Sequence, residues 1–164
     1  MTDYGLLAKQ IVSLAEIDAH WLPVLSNAAA LLWDALDDIN WAGFYLVDSA
    51  TVTGGGSSTP ELRLGPFQGK VACVRIPFGR GVCGTAAVTK TSQLVEDVHQ
   101  FPGHIACDSA SNSEVVVPIF KDVQVVGVLD IDSPNVARFT QEDLAGLEQV
   151  VKALESHTNF SAFC

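Results

Sequence analysis

Three cysteines stand where thiol chemistry is open to this chain: Cys73 and Cys83 in GKVACVRIPFGRGVCGTAA, and Cys107 in HIACDSASNSEVVVPIF. Free cysteine packs like a small hydrophobe, and Cys73 between Ala72 and Val74, or Cys83 among small residues, fits that role. Zinc would need ligands from Cys73, Cys83, His99, His104 and Cys107. Their spacings match no zinc pattern and include no C-x-x-C pair, so no metal is expected. Redox chemistry is the third reading. Cys107 lies between Ala106 and Asp108 in a polar stretch rich in Ser and His, the exposed setting a reactive thiol requires. Its thiolate would need a positive neighbour, which His99, His104, Arg75 or Arg80 could supply. A lone attacking cysteine ends as sulfenic acid, and a second one, Cys73 or Cys83, can condense with it to a disulfide. The residues alone leave packing and redox chemistry level.

Other chemistries fit less well. Gly79-Arg80-Gly81-Val82-Cys83-Gly84 spells G-x-G-x-x-G, but no acid on a following βαβ strand accompanies it, so dinucleotide binding is not expected. The net charge of −10, from 19 acids against 9 Lys plus Arg, argues against nucleic acid and anionic membrane as partners. No apolar run reaches the roughly 18 residues that span a bilayer. MTDYGLLAKQ has no basic region followed by a long apolar stretch. The reading is a cytoplasmic chain whose cysteines are thiols at rest. Its 164 residues suffice for one domain with a sizeable core.

The elements that must position these residues follow from periodicity. Thr2 and Asp3 can cap a helix from about Tyr4 to Ala19, with Leu6, Leu7, Ile11, Leu14 and Ala15 on one face. Pro23 suits the first turn of a second helix reaching about Leu36. Trp41 to Val47 and Glu61 to Phe67 read as a strand hairpin whose long tip, Asp48 to Pro60, contains GGGSSTP. Gly69 to Ile76 reads as a third strand and Val82 to Thr89 as a short helix. A brief strand spans Gln93 to Glu96, before an irregular, polar stretch from Asp97 to Ser113. Glu114 to Phe120 and Val123 to Ile131 form a second hairpin around Lys121-Asp122. The last helix runs from about 140 to 156, opened by a capping box at Thr140 with Asp143 in place of Glu. This order predicts an α+β fold, with an antiparallel sheet, helices on one face and a loop-covered ligand pocket on the other.

The run GPFQGKVACVRIPFGRGVCGTAA, then QLVEDVHQFPGHIACDSASNSEVVVPIF, then VVGVLDIDSP resembles the free methionine-(R)-sulfoxide reductases, which are GAF-domain enzymes. INWAGFYLV, from Ile39 to Val47, is similar to that family's matching strand. The resemblance extends from about Ala19 to Leu154, and it rests on the trio of cysteines in these contexts. The Ser49 to Pro60 tip is longer than in the family, and the Cys164 tail lies outside the likeness.

The resemblance implies a GAF-like fold over 1–164 and reduction of free L-methionine-(R)-sulfoxide without metal or organic cofactor. Cys107 would attack the sulfoxide sulfur, Cys73 would resolve the sulfenic acid, and Cys83 would relay or substitute. Sulfoxide oxygen leaves poorly unless protonated, so Glu114 and Asp132 would serve as acids. Asp130 and Asp132 alternate on one strand and share a face. Asp130 would hold the substrate ammonium, and Trp41 with Tyr45 would wall the substrate. Clustered carboxylates raise one another's pKa, which suits one to donate a proton near neutral pH. Thioredoxin is the implied reductant, and the resemblance leaves room for a homodimer. Each residue also has a plainer reading: Trp41 as core, Asp130 and Asp132 as a solvated strand end, Glu114 as a turn cap. The alternative for the whole is a GAF sensor that binds without turnover.

Overall fold

The computed structural model describes residues 1–48 and 60–161. Most of the 49–60 hairpin tip, and Cys164, lie outside the described residues. Six strands form one antiparallel sheet in the order β3-β2-β1-β6-β5-β4. They are β1 (Trp41–Asp48), β2 (Glu61–Gly69), β3 (Arg75–Pro77), β4 (Gln93–Val95), β5 (Ser113–Lys121) and β6 (Gln124–Ser133).

Helices α1 (Tyr4–Ile17), α2 (Trp21–Ala35) and α4 (Gln141–His157) cover one face. Each has an apolar side, and together they bury Leu7, Ile11, Leu25, Leu32, Leu147 and Leu154 against Phe44, Leu129 and Ile131 of the sheet. Asp3 caps α1 by accepting from the Leu6 N–H at 2.9 Å, as its position before the apolar run predicts. The capping box of α4 is present, with Thr140 and Asp143 bonded reciprocally.

Two expectations need correction. Gly69 to Ile76 is not one strand. The chain leaves the sheet after Gly69, crosses irregularly from 70 to 74, and pairs again only over Arg75–Pro77. The apolar, partly β-branched run VACV suits a strand, but it lies outside the sheet, and Cys73 within it is joined to Cys107. Nor do all helices share a face. Helix α3 (Gly81–Thr89) packs on the opposite one, where Val82, Cys83, Ala86 and Ala87 meet Trp41, Tyr45, Val116 and Val128. Small side chains let it lie close. A Cβ at Gly84 would come 2.5 Å from the Pro77 carbonyl oxygen. Gly84 thus serves close packing, while Gly79 and Gly81 take the positive φ values of 82° and 61° that the turn into α3 requires.

Candidate active site

Strand register assembles the centre of the site. Trp41 of β1 stands opposite Asp132 of β6, and Asp132 opposite Glu114 of β5. Directly paired residues in antiparallel strands share a face, so these three side chains form one row across the sheet. The next row on that face is Gly43, Asp130 and Val116. Gly43 leaves room there. A Cβ at 43 would stand 2.3 Å from the Cβ of Phe67, which instead folds in and stacks on Trp41 with ring centroids 5.2 Å apart. Tyr45 also stacks with Trp41, with ring centroids 5.7 Å apart. The indole N–H donates to the Lys70 carbonyl at 3.1 Å, which fixes the ring.

Above these rows lies a cavity lined by Trp41, Tyr45, Arg80, Cys83, His104, Cys107, Asp108, Glu114, Asp130 and Asp132, among others. Helix α3 brings Cys83 down onto the carboxyls, and the irregular loop before β5 brings Cys107 over the top. The 70–74 crossing brings Cys73, which is joined to Cys107 in a disulfide with Cα atoms 5.3 Å apart. Cys83 is the free cysteine of the described residues and is buried.

Burial dominates the electrostatics. It pushes the Glu114 carboxyl well above the usual range, and the Asp130 and Asp132 charges push it further. Asp132 is raised likewise, by burial, then by Asp130 and Asp108. Burial also lifts Asp130, but hydrogen bonds from Glu114 and Cys83 limit its rise to about 6. Two carboxyls can hydrogen-bond only if one keeps a proton, so near neutrality Asp130 is the carboxylate and Glu114 the acid. The Cys83 thiol, 3.8 Å from Glu114 Oε1, is raised by burial and by the Asp130 and Glu114 charges, so it is neutral at rest. Asp130 Oδ1 is buried and has no hydrogen-bond partner among the described residues.

The cavity therefore gathers all eight side chains singled out in the sequence, seven along its wall and Cys73 through its bond to Cys107. Glu114 is 6% exposed and Asp130 5%, which rules out a turn cap and a solvated strand end. Arg80, His104 and Asp108 also line the cavity. Of the four positive neighbours the sequence offered Cys107, the lining thus includes Arg80 and His104. His99 packs against the latter edge-on at 6.4 Å, and burial together with His99 lowers its pKa. Cys83, Glu114 and Asp130 each bring one ligand atom within 4.8 Å of the others, which is the metal-ligating geometry among the described residues.

Residues 23–156 match the GAF domain family model. The chain is 52% identical over 152 residues to the free methionine-R-sulfoxide reductase of Escherichia coli, covering 93% of this chain and 86% of that protein. It belongs to the GAF-domain free methionine-(R)-sulfoxide reductase family. Within this family, the fRMsr of Staphylococcus aureus in reduced form superposes with a TM-score of 0.86 at 53% identity, over 97% of each chain. The family's enzyme from Neisseria meningitidis, solved in complex with its substrate, superposes with a TM-score of 0.85 at 44% identity. That match covers 94% of this chain and 87% of the Neisseria chain. Among the described residues, no helix is long and apolar enough to cross a membrane.

Proposed function

We propose that this chain reduces free L-methionine-(R)-sulfoxide to L-methionine by thiol chemistry, as its relatives are named for doing. The observation that carries this reading is the Cys73–Cys107 disulfide above a buried carboxyl cluster walled by Trp41. A dithiol pair over proton donors is what sulfoxide reduction requires.

The substrate ammonium meets Asp130, whose unpartnered Oδ1 is a ready acceptor. The S-methyl group rests against the Trp41 indole, with Tyr45 behind it; sulfur and aromatic faces attract modestly. The Cys107 thiolate attacks the sulfoxide sulfur while Glu114, aided by Asp132, protonates the oxygen. The hydroxyl then passes from the substrate sulfur to Cys107 Sγ as the substrate S–O bond and the new S–S bond break, so methionine leaves and Cys107 is left as sulfenic acid. The Cys73 thiolate then attacks Cys107 Sγ and hydroxide departs as water with a proton from the carboxyl cluster. The result is the disulfide seen here. A dithiol protein of the thioredoxin class reopens it by exchange, giving up its own two thiol hydrogens. Cys83 is neutral and buried, which suits a reserve or relay thiol better than the first attacker. The working unit is the whole chain, 1–164, as one cytoplasmic domain.

The test is methionine release from separate R and S epimers of free methionine sulfoxide with excess dithiothreitol, for the unaltered chain and Cys107→Ser. Release from the R epimer alone, abolished by the substitution, supports the reading. Release from neither epimer overturns it and leaves a ligand-binding GAF domain.

A further inference from the structure

The loop that carries Cys107 has an anchor that the reaction above does not use. Most of its own backbone bonds are internal. His104 N–H donates to the Phe101 carbonyl at 3.2 Å, Cys107 N–H to Ile105 at 3.0 Å, and Ser111 N–H to Asp108 at 3.2 Å. The Ala110 N–H donates to Asp108 Oδ1 at 2.9 Å, closing a turn around Asp108. These bonds shape the loop, and the Asn112 N–H, donating to the Ser133 carbonyl at 2.8 Å, ties its far end to β6. Asn40 ties the part next to Cys107. Its side-chain Nδ2 donates to Asp108 Oδ2 at 3.1 Å and to Ser111 Oγ at 3.1 Å. A carboxylate only accepts, so the nitrogen of the amide must face Asp108.

Asn40 is held from below by the strands of the site. Its backbone N–H donates to the Asp132 carbonyl at 2.9 Å, and its chain neighbour Trp41 pairs with Asp132. One residue thus links the aromatic wall, the acid strand and the residue next to Cys107. In the disulfide form Cys73 also tethers Cys107 covalently. That tether is lost at every reduction, just before Cys107 must attack.

We propose that Asn40 is the positioning residue that keeps the Cys107 loop over the pocket when the disulfide is open, acting through Asp108. The inference rests on the reductase reading above. Displacing a reacting group by about 1 Å costs about 10²-fold in rate. Asn40→Ala should therefore lower kcat between about 10-fold and 100-fold. KM should change less than about threefold, because the groups proposed to hold the substrate sit on β1, β5 and β6 rather than on the loop. Asn40→Asp sets a second carboxylate against Asp108, and its loss should be relieved as pH falls and the pair takes up a proton. The other ionisable groups lining the cavity are Asp130 and Asp132 on β6, Glu114 on β5, Tyr45 on β1, Cys83 on α3, His104 on the loop and Arg80 before α3, so the recovery is read relative to the unaltered chain at each pH. They are common to all the variants. The exchange Asn40→Asp with Asp108→Asn restores one donor facing one acceptor and leaves the negative charge in the same place. Ser111 can follow, since a hydroxyl donates as readily as it accepts.

The experiment compares the unaltered full chain, Asn40→Ala, Asn40→Asp and the exchanged pair. It follows steady-state kcat and KM with dithiothreitol across pH, together with thermal unfolding. A second readout needs no sulfoxide: closure of the Cys73–Cys107 disulfide in the reduced chain after hydrogen peroxide, which oxidises Cys107 to sulfenic acid before Cys73 displaces water. The expected results are a kcat loss in Asn40→Ala in the folded range, recovery of Asn40→Asp at low pH, recovery in the exchanged pair, and closure at least about threefold slower in Asn40→Ala. Closure and kcat of Asn40→Ala within twofold of the unaltered chain would overturn the inference. So would an exchanged pair no faster than Asn40→Asp. If the unaltered chain releases no methionine, the reductase reading fails, and the closure rates still decide the role of Asn40.

Discussion

Phe44, Val115 and Leu129 point from the sheet into α1, α2 and α4, while Tyr45, Glu114 and Asp130, one residue away along the same strands, point into the cavity. The first face is apolar and close-packed. The second buries two carboxyls and a thiol against aromatic rings and small side chains. Burying an acid is costly, so the pocket face spends stability that the helix face supplies. The comparison teaches a division of labour along each strand, set by the period-two alternation of side chains. β6 shows it most directly, since Asp130 and Asp132 alternate there with Leu129 and Ile131.

Substitutions on the two faces should separate activity from stability. The largest effect expected on the pocket face is from Glu114→Gln, which keeps the shape and removes the acid. General acid catalysis contributes about 10²- to 10⁴-fold, so kcat should fall by that order while the fold is kept. Steady-state kinetics beside circular dichroism checks this; an unchanged kcat would remove Glu114 from the chemistry. On the helix face, Leu147→Ala should destabilise the chain by about 2–5 kcal/mol, through lost burial and the cavity left behind. Denaturant unfolding measures it, and kcat at low temperature should stay near that of the unaltered chain.

The pH profile sharpens the same contrast. Asp130 must be ionised to hold an ammonium, so kcat/KM should fall as pH drops below about 6. Glu114 and Asp132 must be protonated to donate, so the rate should fall again at alkaline pH, as they ionise above the usual carboxylate range. Asp130→Asn should abolish the acid limb and raise KM. The smallest effect is on stability. Glu114 holds its proton more tightly folded than unfolded. The stability this gives is fully present below its unfolded pKa and is lost as pH rises through the raised folded value. The Tm of the unaltered chain should therefore decline toward alkaline pH, and Glu114→Gln should flatten that decline by a few degrees.

The strands of the centre were legible because WAGFYLV, EVVVPIF and VVGVLDI carry the β-branched and aromatic types that suit a buried sheet. The pairing of Asp132 with Trp41 and Glu114 was not, since register is fixed by folding and not by local composition. Helix α3 gave no sign of its face, because GVCGTAAVT has no apolar stripe to orient it. The 70–74 crossing read as strand because VACV is a short apolar, partly β-branched run, and only tertiary context pulls it out of the sheet. Cys107 and Cys73 were recognisable as partners only through the family resemblance. Asn40 carried no signal at all: its bonds to Asp108 and Ser111 span 68 and 71 residues.

The most direct test of the account uses the reduced chain with no external reductant and one addition of free methionine-(R)-sulfoxide. Methionine and thiols are counted together, and the cysteines are mapped by mass spectrometry. The account predicts one equivalent of methionine per chain, loss of two thiols, and a bond between Cys73 and Cys107 with Cys83 still free. Methionine release without loss of thiols, or a first disulfide that joins Cys83 instead, would contradict it.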